Sequence, residues 1–115
     1  MSNNIINLAT ARELIKRYRD NLALITTFEF KDSLKYSETF VASAIQAILS
    51  QPGCVEFRAY YGMKENNSIC SIFVGVDAED NDILNSLNGN GEDVIVEYGR
   101  DCPPKCSTST KNIYW

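Results

Sequence analysis

A chain of 115 residues and 12.9 kDa, 44% hydrophobic, is sized and composed as one folded domain rather than a disordered segment. No apolar run approaches the ~20 residues that cross a bilayer, and MSNNIINLAT lacks the basic start and apolar stretch of a secretory signal, so the expectation is a cytoplasmic protein with no membrane partner. The charge is uneven: residues 1–64 hold 8 basic and 6 acidic groups, residues 65–115 hold 3 and 9, for a net −4 and a pI near 4.7. An acidic second half repels phosphate backbones and argues against nucleic acid as a partner, and the same charge serves equally as a solubilising surface.

Thr10 and Glu13 have the spacing of a capping box, and Leu14, Ile15, Tyr18 and Leu22 then recur at helical spacing. These residues predict a helix over 11–21. Residues 22–32 fit helix continuation and a short strand equally, because Thr and Phe alternate there. A second helix is predicted from a cap at Ser37, with Phe40, Val41, Ala44, Ile45, Ile48 and Leu49 forming one apolar stripe. Gln51-Pro52-Gly53 ends it. The period then changes. Val55, Phe57, Ala59 and Tyr61 alternate with polar positions as in a strand with one buried face. GMKENNS over 62–68 is a turn-rich link, and the apolar run ICSIFVGV over 69–76 reads as a central strand, joined to its predecessor in an antiparallel hairpin. Ile83, Leu84 and Leu87 suggest a short helical turn before Gly89-Asn90-Gly91, and Val94, Ile95, Val96 and Tyr98 a third strand.

The expected architecture is therefore α+β: a single domain over 1–115 in which two N-terminal helices pack on a small, mostly antiparallel sheet of three to four strands, followed by a coiled, cysteine-containing tail. The stripe of the second helix covers one sheet face, with Ile45 in the core, and the first helix lies beside it.

Histidine is absent, which removes Ser-His-Asp and Cys-His catalysis and any histidine metal triad within the chain. No glycine-rich phosphate loop is present. No cofactor is expected. Asp77, Asp80 and Asp82 in VDAEDND are candidates for a cation loop or acid–base chemistry. They lack the glycine and the terminal Glu of a calcium loop, and they read equally as caps of a solvated turn. Arg58, Tyr60 and Tyr61 are candidates for a ligand or partner surface, since Arg and Tyr anchor many interfaces; the plainer reading is a cross-strand ion pair with tyrosine packing. Trp115 either docks the tail or frays.

Cys54 and Cys70 fall in strands and read as small buried hydrophobes. Cys102 and Cys106, in CPPKC, have three intervening residues where a thioredoxin-type site has two, and Lys105 is the local opposing charge. Pro103-Pro104 implies a stiff extended or turn conformation. Three readings follow for the pair: a rigid turn with structural thiols, a reversible disulfide, or, with Cys54 and Cys70, a four-sulfur metal site. The first leads, because cytoplasmic conditions disfavour disulfides and the other two cysteines form no close pair in sequence.

VEFRAYYG, ICSIFVGVDAEDNDIL and CPPKC together resemble a group of small uncharacterised bacterial proteins with an RxYYG…VGVD…NDI…CPPxC arrangement, over residues 53–106. Arg58, Tyr60, Tyr61 and Gly62 match the first motif, Asp77 and Asp82 the middle ones, Cys102 and Cys106 the last. Asp80 stands where that group frequently has glycine before Asn81. The resemblance implies a shared organisation and carries no mechanism. Two functional classes follow from the residues: a small interaction or structural module, acting as a homodimer or with a protein partner, or a thiol-based redox protein or enzyme using Cys102 and Cys106. The first is the leading expectation.

Overall fold

The structure is a computed structural model and describes residues 4–97, 99–109 and 111–113. The elements run α1 (Leu8–Ile25), β1 (Ser37–Thr39), α2 (Ala42–Leu49), β2 (Glu56–Met63), β3 (Ile69–Val76), β4 (Ile95–Val96) and β5 (Arg100–Cys102). The α+β expectation holds: two N-terminal helices, a small antiparallel sheet, and a C-terminal region with closely spaced cysteines.

Helix α1 starts earlier than Thr10 and Glu13 suggest. Asn7 is its N-cap, and the Asn7 side chain accepts from the Thr10 N–H at 2.8 Å. At the other end both the N–H and the hydroxyl of Thr26 donate to the Leu22 carbonyl, at 3.0 and 2.9 Å. The ambiguity over 22–32 resolves into helix up to Ile25 and then consecutive turns, closed by Phe30 N–H on Thr27 O and Ser33 N–H on Phe30 O. No residue of α1 is buried. It is tied down by Tyr18, whose hydroxyl donates to the Lys35 carbonyl at 2.6 Å, by Arg19 stacked 3.8 Å from the Tyr36 ring centroid, and by Arg12 donating to Ile113 O at 2.6 Å.

Helix α2 starts later than expected. Ser37, read in sequence as its cap, is instead the first residue of β1, and the helix begins only at Ala42. The chain turns between the two so that Phe40 meets Phe73 edge to face, with centroids 4.9 Å apart, and sets the far end of its ring against Gly99. A Cβ at Gly99 would fall 2.7 Å from the Phe40 ring, so only glycine allows this approach. The stripe is narrower than its sequence suggests: Ile48 is fully buried, Ala44 and Ile45 are half-buried, and Val41 and Leu49 are exposed.

The main sheet has order β2-β3-β4, antiparallel throughout, with β3 central as its apolar run predicts. The hairpin between β2 and β3 turns through Asn67 at φ +70°, a left-handed position asparagine tolerates, with Lys64 N–H donating to Ser68 O. The short turn expected around Ile83, Leu84 and Leu87 falls at residues 85–89, with Leu87 N–H donating to Leu84 O, and β4 is limited to Ile95–Val96; Tyr98, assigned to that strand from sequence, lies outside the described residues, as does Trp115. A separate two-stranded ribbon pairs β1 with β5, so the cysteine region is coil only after Cys102. Where β4 ends, the segment before and within β1 takes its place along β3: Ile69 N–H donates to Ser33 O at 2.8 Å and Ser71 N–H to Glu38 Oε1 at 3.1 Å.

Register assigns the two faces of the main sheet. Phe57, Phe73 and Gly75 share the face that meets Phe40, α2 and the link after it. Arg58, Cys70, Val74 and Val76 share the other. Ile48, Val76, Val74 and Cys70 are the buried hydrophobic residues, so the core spans both faces of β3.

Candidate functional site

Two sets of candidate residues from different parts of the chain meet on the face without the helix. After β3, Asp77 caps its own turn: its Oδ1 accepts from the N–H groups of Glu79 and Asn81 at 2.9 and 3.0 Å. Asp77 N–H donates to Asn81 O, and the chain returns so that Asp82 pairs with Val76. The turn passes through Asp80 at φ +67°, in the left-handed region. This return places Asp80 and Asp82 across β3 from Arg58. The guanidinium donates to Asp82 Oδ1 and to Asp80 Oδ1, each at 2.6 Å, and the Tyr60 hydroxyl donates to Asp82 Oδ2 at 2.5 Å. Tyr60, followed by the charges of Asp80 and Asp82, outweighs desolvation and holds the Arg58 pKa above its usual value.

Chemically this cluster is a strap in which one cation is shared by two carboxylates. Both oxygens of Asp82 are taken, and Asp80 faces the same cation. Tyr61 belongs to the opposite face and is 83% exposed, so it is not part of the strap. The three aspartates do not converge on a common point: Asp77 serves its turn while the other two serve Arg58. Among the described residues no group of three or more Cys, Asp or Glu side chains is placed to hold a metal ion.

Cys102 and Cys106 form a disulfide, with Cα atoms 4.7 Å apart, where the sequence favoured structural thiols in a rigid turn. Lys105 N–H donates to Asp101 O at 2.9 Å, so the loop is a closed turn rather than an extended spacer. Its first cysteine is held by the ribbon: Cys102 pairs with Ser37, and its carbonyl accepts from Tyr36 N–H at 2.7 Å. Cys106 is exposed. The remaining two cysteines are free thiols. Cys70 is buried, as expected, and burial followed by the charges of Glu97 and Glu38 pushes its pKa up. Cys54 is only partly buried, and its thiol donates to Glu56 O at 3.2 Å. The four-sulfur arrangement does not form, because two of the sulfurs are bonded to each other.

A group that no sequence signal marked lies next to the disulfide. Lys64 Nζ donates to Asp101 Oδ2 at 3.3 Å, joining the β2–β3 hairpin to β5. Burial works against the Lys64 charge, but Asp101 and then Glu97 more than offset it, and the Lys64 pKa is raised. Glu38 stands directly opposite Asp101 in the ribbon. One oxygen each of Glu38, Glu97 and Asp101 is shielded from solvent without a hydrogen-bond partner. These residues went unmarked because β1, which carries Glu38, looked like the start of a helix.

No protein family, no curated protein and no solved structure matches the chain. Among the described residues no helix is long and apolar enough to cross a membrane.

Proposed function

We infer that the chain acts as a small dithiol/disulfide module in which reversible closure of the Cys102–Cys106 bond sets the conformation of the C-terminal region. The observation that supports this reading is a bonded pair on an exposed turn, directly continuous with a strand anchored to β1 and Lys64. In the exchange a thiolate of a partner dithiol attacks the exposed Cys106 Sγ, and Cys102 leaves as a thiolate and takes up a proton. The partner's second thiol then displaces Cys106 and forms the partner's own disulfide. Two electrons pass from the partner dithiol, and two thiols remain on this chain. Neither a histidine nor a helix N-terminus adjoins the pair, and Lys105 alone favours a thiolate, so exchange is slow beside that of a thioredoxin-type site.

Alkylation and mass spectrometry test the reading. Oxidised native protein should expose no thiols beyond Cys54 and Cys70. Dithiothreitol should release Cys102 and Cys106, and oxidised glutathione should close them again. Four free thiols after air oxidation, or a pair that does not re-form, would overturn it. A second reading, a protein-interaction module, is favoured by one observation: Phe57, Tyr61 and Met63 stand exposed along the outer strand of the sheet.

A further inference from the structure

The outer edge of β2 is open. Lys64 N–H bonds Ser68 O at the hairpin end, and hydrogen-bonded pairs alternate along an antiparallel ladder, so the even-numbered residues of β2 point their backbone groups at β3. The β3 side agrees, since the N–H groups of Ile69 and Ser71 point away from β2, to Ser33 and Glu38. Phe57, Ala59, Tyr61 and Met63 therefore direct N–H and C=O groups outward, and no described residue accepts or donates there. Their side chains form an exposed apolar row on one face: Phe57 is 51%, Tyr61 83% and Met63 53% exposed. Proteins usually guard such an edge with lysine, proline or a projecting charge. Here Arg58, the cation at mid-strand, is drawn across β3 to Asp80 and Asp82.

We propose that β2 pairs edge to edge, antiparallel, with β2 of a second copy of this chain, with Ala59 facing itself on the two-fold axis. This register satisfies the outward backbone groups of Phe57, Ala59 and Tyr61 on both copies. It sets Phe57 beside Tyr61 of the partner subunit, Val55 beside Met63 of the partner subunit, and Arg58 beside Tyr60 of the partner subunit, with no like charges opposed. A register centred on Arg58 sets that cation against itself. One centred on Tyr61 sets Arg58 against Lys64 of the partner subunit. One centred on Tyr60 loses both Phe57–Tyr61 pairs.

The inference is independent of the disulfide, and its test is run with that bond intact. Sedimentation equilibrium from about 10 µM to about 1 mM should show the mass rising from 12.9 kDa toward twice that value. Phe57→Lys should hold the chain monomeric with unchanged far-ultraviolet circular dichroism. Ala59→Pro, which removes one outward N–H and leaves the β3 ladder intact, should do the same if the lysine variant fails to fold. Ala59→Cys should oxidise to a covalent dimer linked at position 59. A wild-type chain at 12.9 kDa throughout, a dimer that survives both edge substitutions, or a dimer without the position-59 link would overturn the proposal.

Discussion

The two faces of the β2-β3-β4 sheet are closed by different physics. On one, Phe40, Phe57 and Phe73 stack edge to face beneath α2, and Ile48 is completely buried. On the other, Val74 and Val76 are 3% and 2% exposed. Arg58, Tyr60 and Asp82 instead reach over from the neighbouring strand and the returning turn. The first face gains from removing apolar area from water, a non-directional term that scales with contact. The second gains from directional bonds whose cost and benefit nearly cancel at a wet surface. Long polar side chains, whose stems are themselves apolar, complete the second one.

The contrast predicts a ranking of substitutions. Ile48→Ala removes a side chain with 0% exposure and should cost about 3 kcal/mol in denaturant unfolding. A loss under about 1 kcal/mol would mean that α2 is not what closes its face. Gly99→Ala comes next at roughly 2 kcal/mol, because the added methyl must displace the Phe40 ring from its seat. On the polar face, Asp82→Ala should shift the unfolding midpoint by about a third as much as Ile48→Ala, since it removes the less exposed of Arg58's two carboxylate partners and the acceptor of the Tyr60 hydroxyl. Asp80→Ala should barely register, because its carboxylate is 81% exposed against 18% for Asp82. Asp80→Gly should not destabilise either, as it loses the same weak pair while relieving the backbone at φ +67°. Equal effects of Asp80→Ala and Asp82→Ala would break the account of the strap.

The two faces also differ in how far they could be read from sequence. The alternation of β2, the uninterrupted apolar run of β3 and the Pro52-Gly53 stop of α2 are local signals, and the helix-covered face follows from them. The strap joins Arg58 and Tyr60, marked as a surface, to Asp80 and Asp82, marked as a loop. Each set was legible, but their junction depends on how the turn after β3 returns, and no spacing encodes that. β1 was invisible for a related reason. Ser-Glu-Thr has no strand pattern of its own and becomes extended only by pairing with Arg100–Cys102, far along the chain. With β1 unread, Glu38 and the Lys64–Asp101 link beside the disulfide went unread too. For Cys102 and Cys106 the spacing was visible, but their bonding depends on a turn that brings the Cα atoms to 4.7 Å.

The smallest expected effect belongs to the stretch that neither face claims. Between the strap and β4 the chain closes on itself. Ser86 donates its N–H to Asp93 Oδ1 at 2.9 Å and its hydroxyl to Oδ2 at 2.7 Å, while Asn85 Nδ2 donates to Glu92 O at 3.0 Å. The Ser86 N–H, followed by its hydroxyl, holds the Asp93 carboxyl below the ordinary carboxylate value. A carboxyl with a lowered folded-state pKa stabilises the loop above its unfolded value, near 3.9, and that contribution fades as pH falls through the lower folded value. Between pH 5 and 8 the loop should therefore be indifferent to pH, and the Ser86 amide resonance should move only below about pH 4. Asp93→Asn should abolish that movement and leave the amides of β3 unchanged. If β3 amides shifted with Ser86, the loop would be coupled to the sheet, and β4 would owe its place to Asp93 as well as to its pairing with Phe73 and Val74.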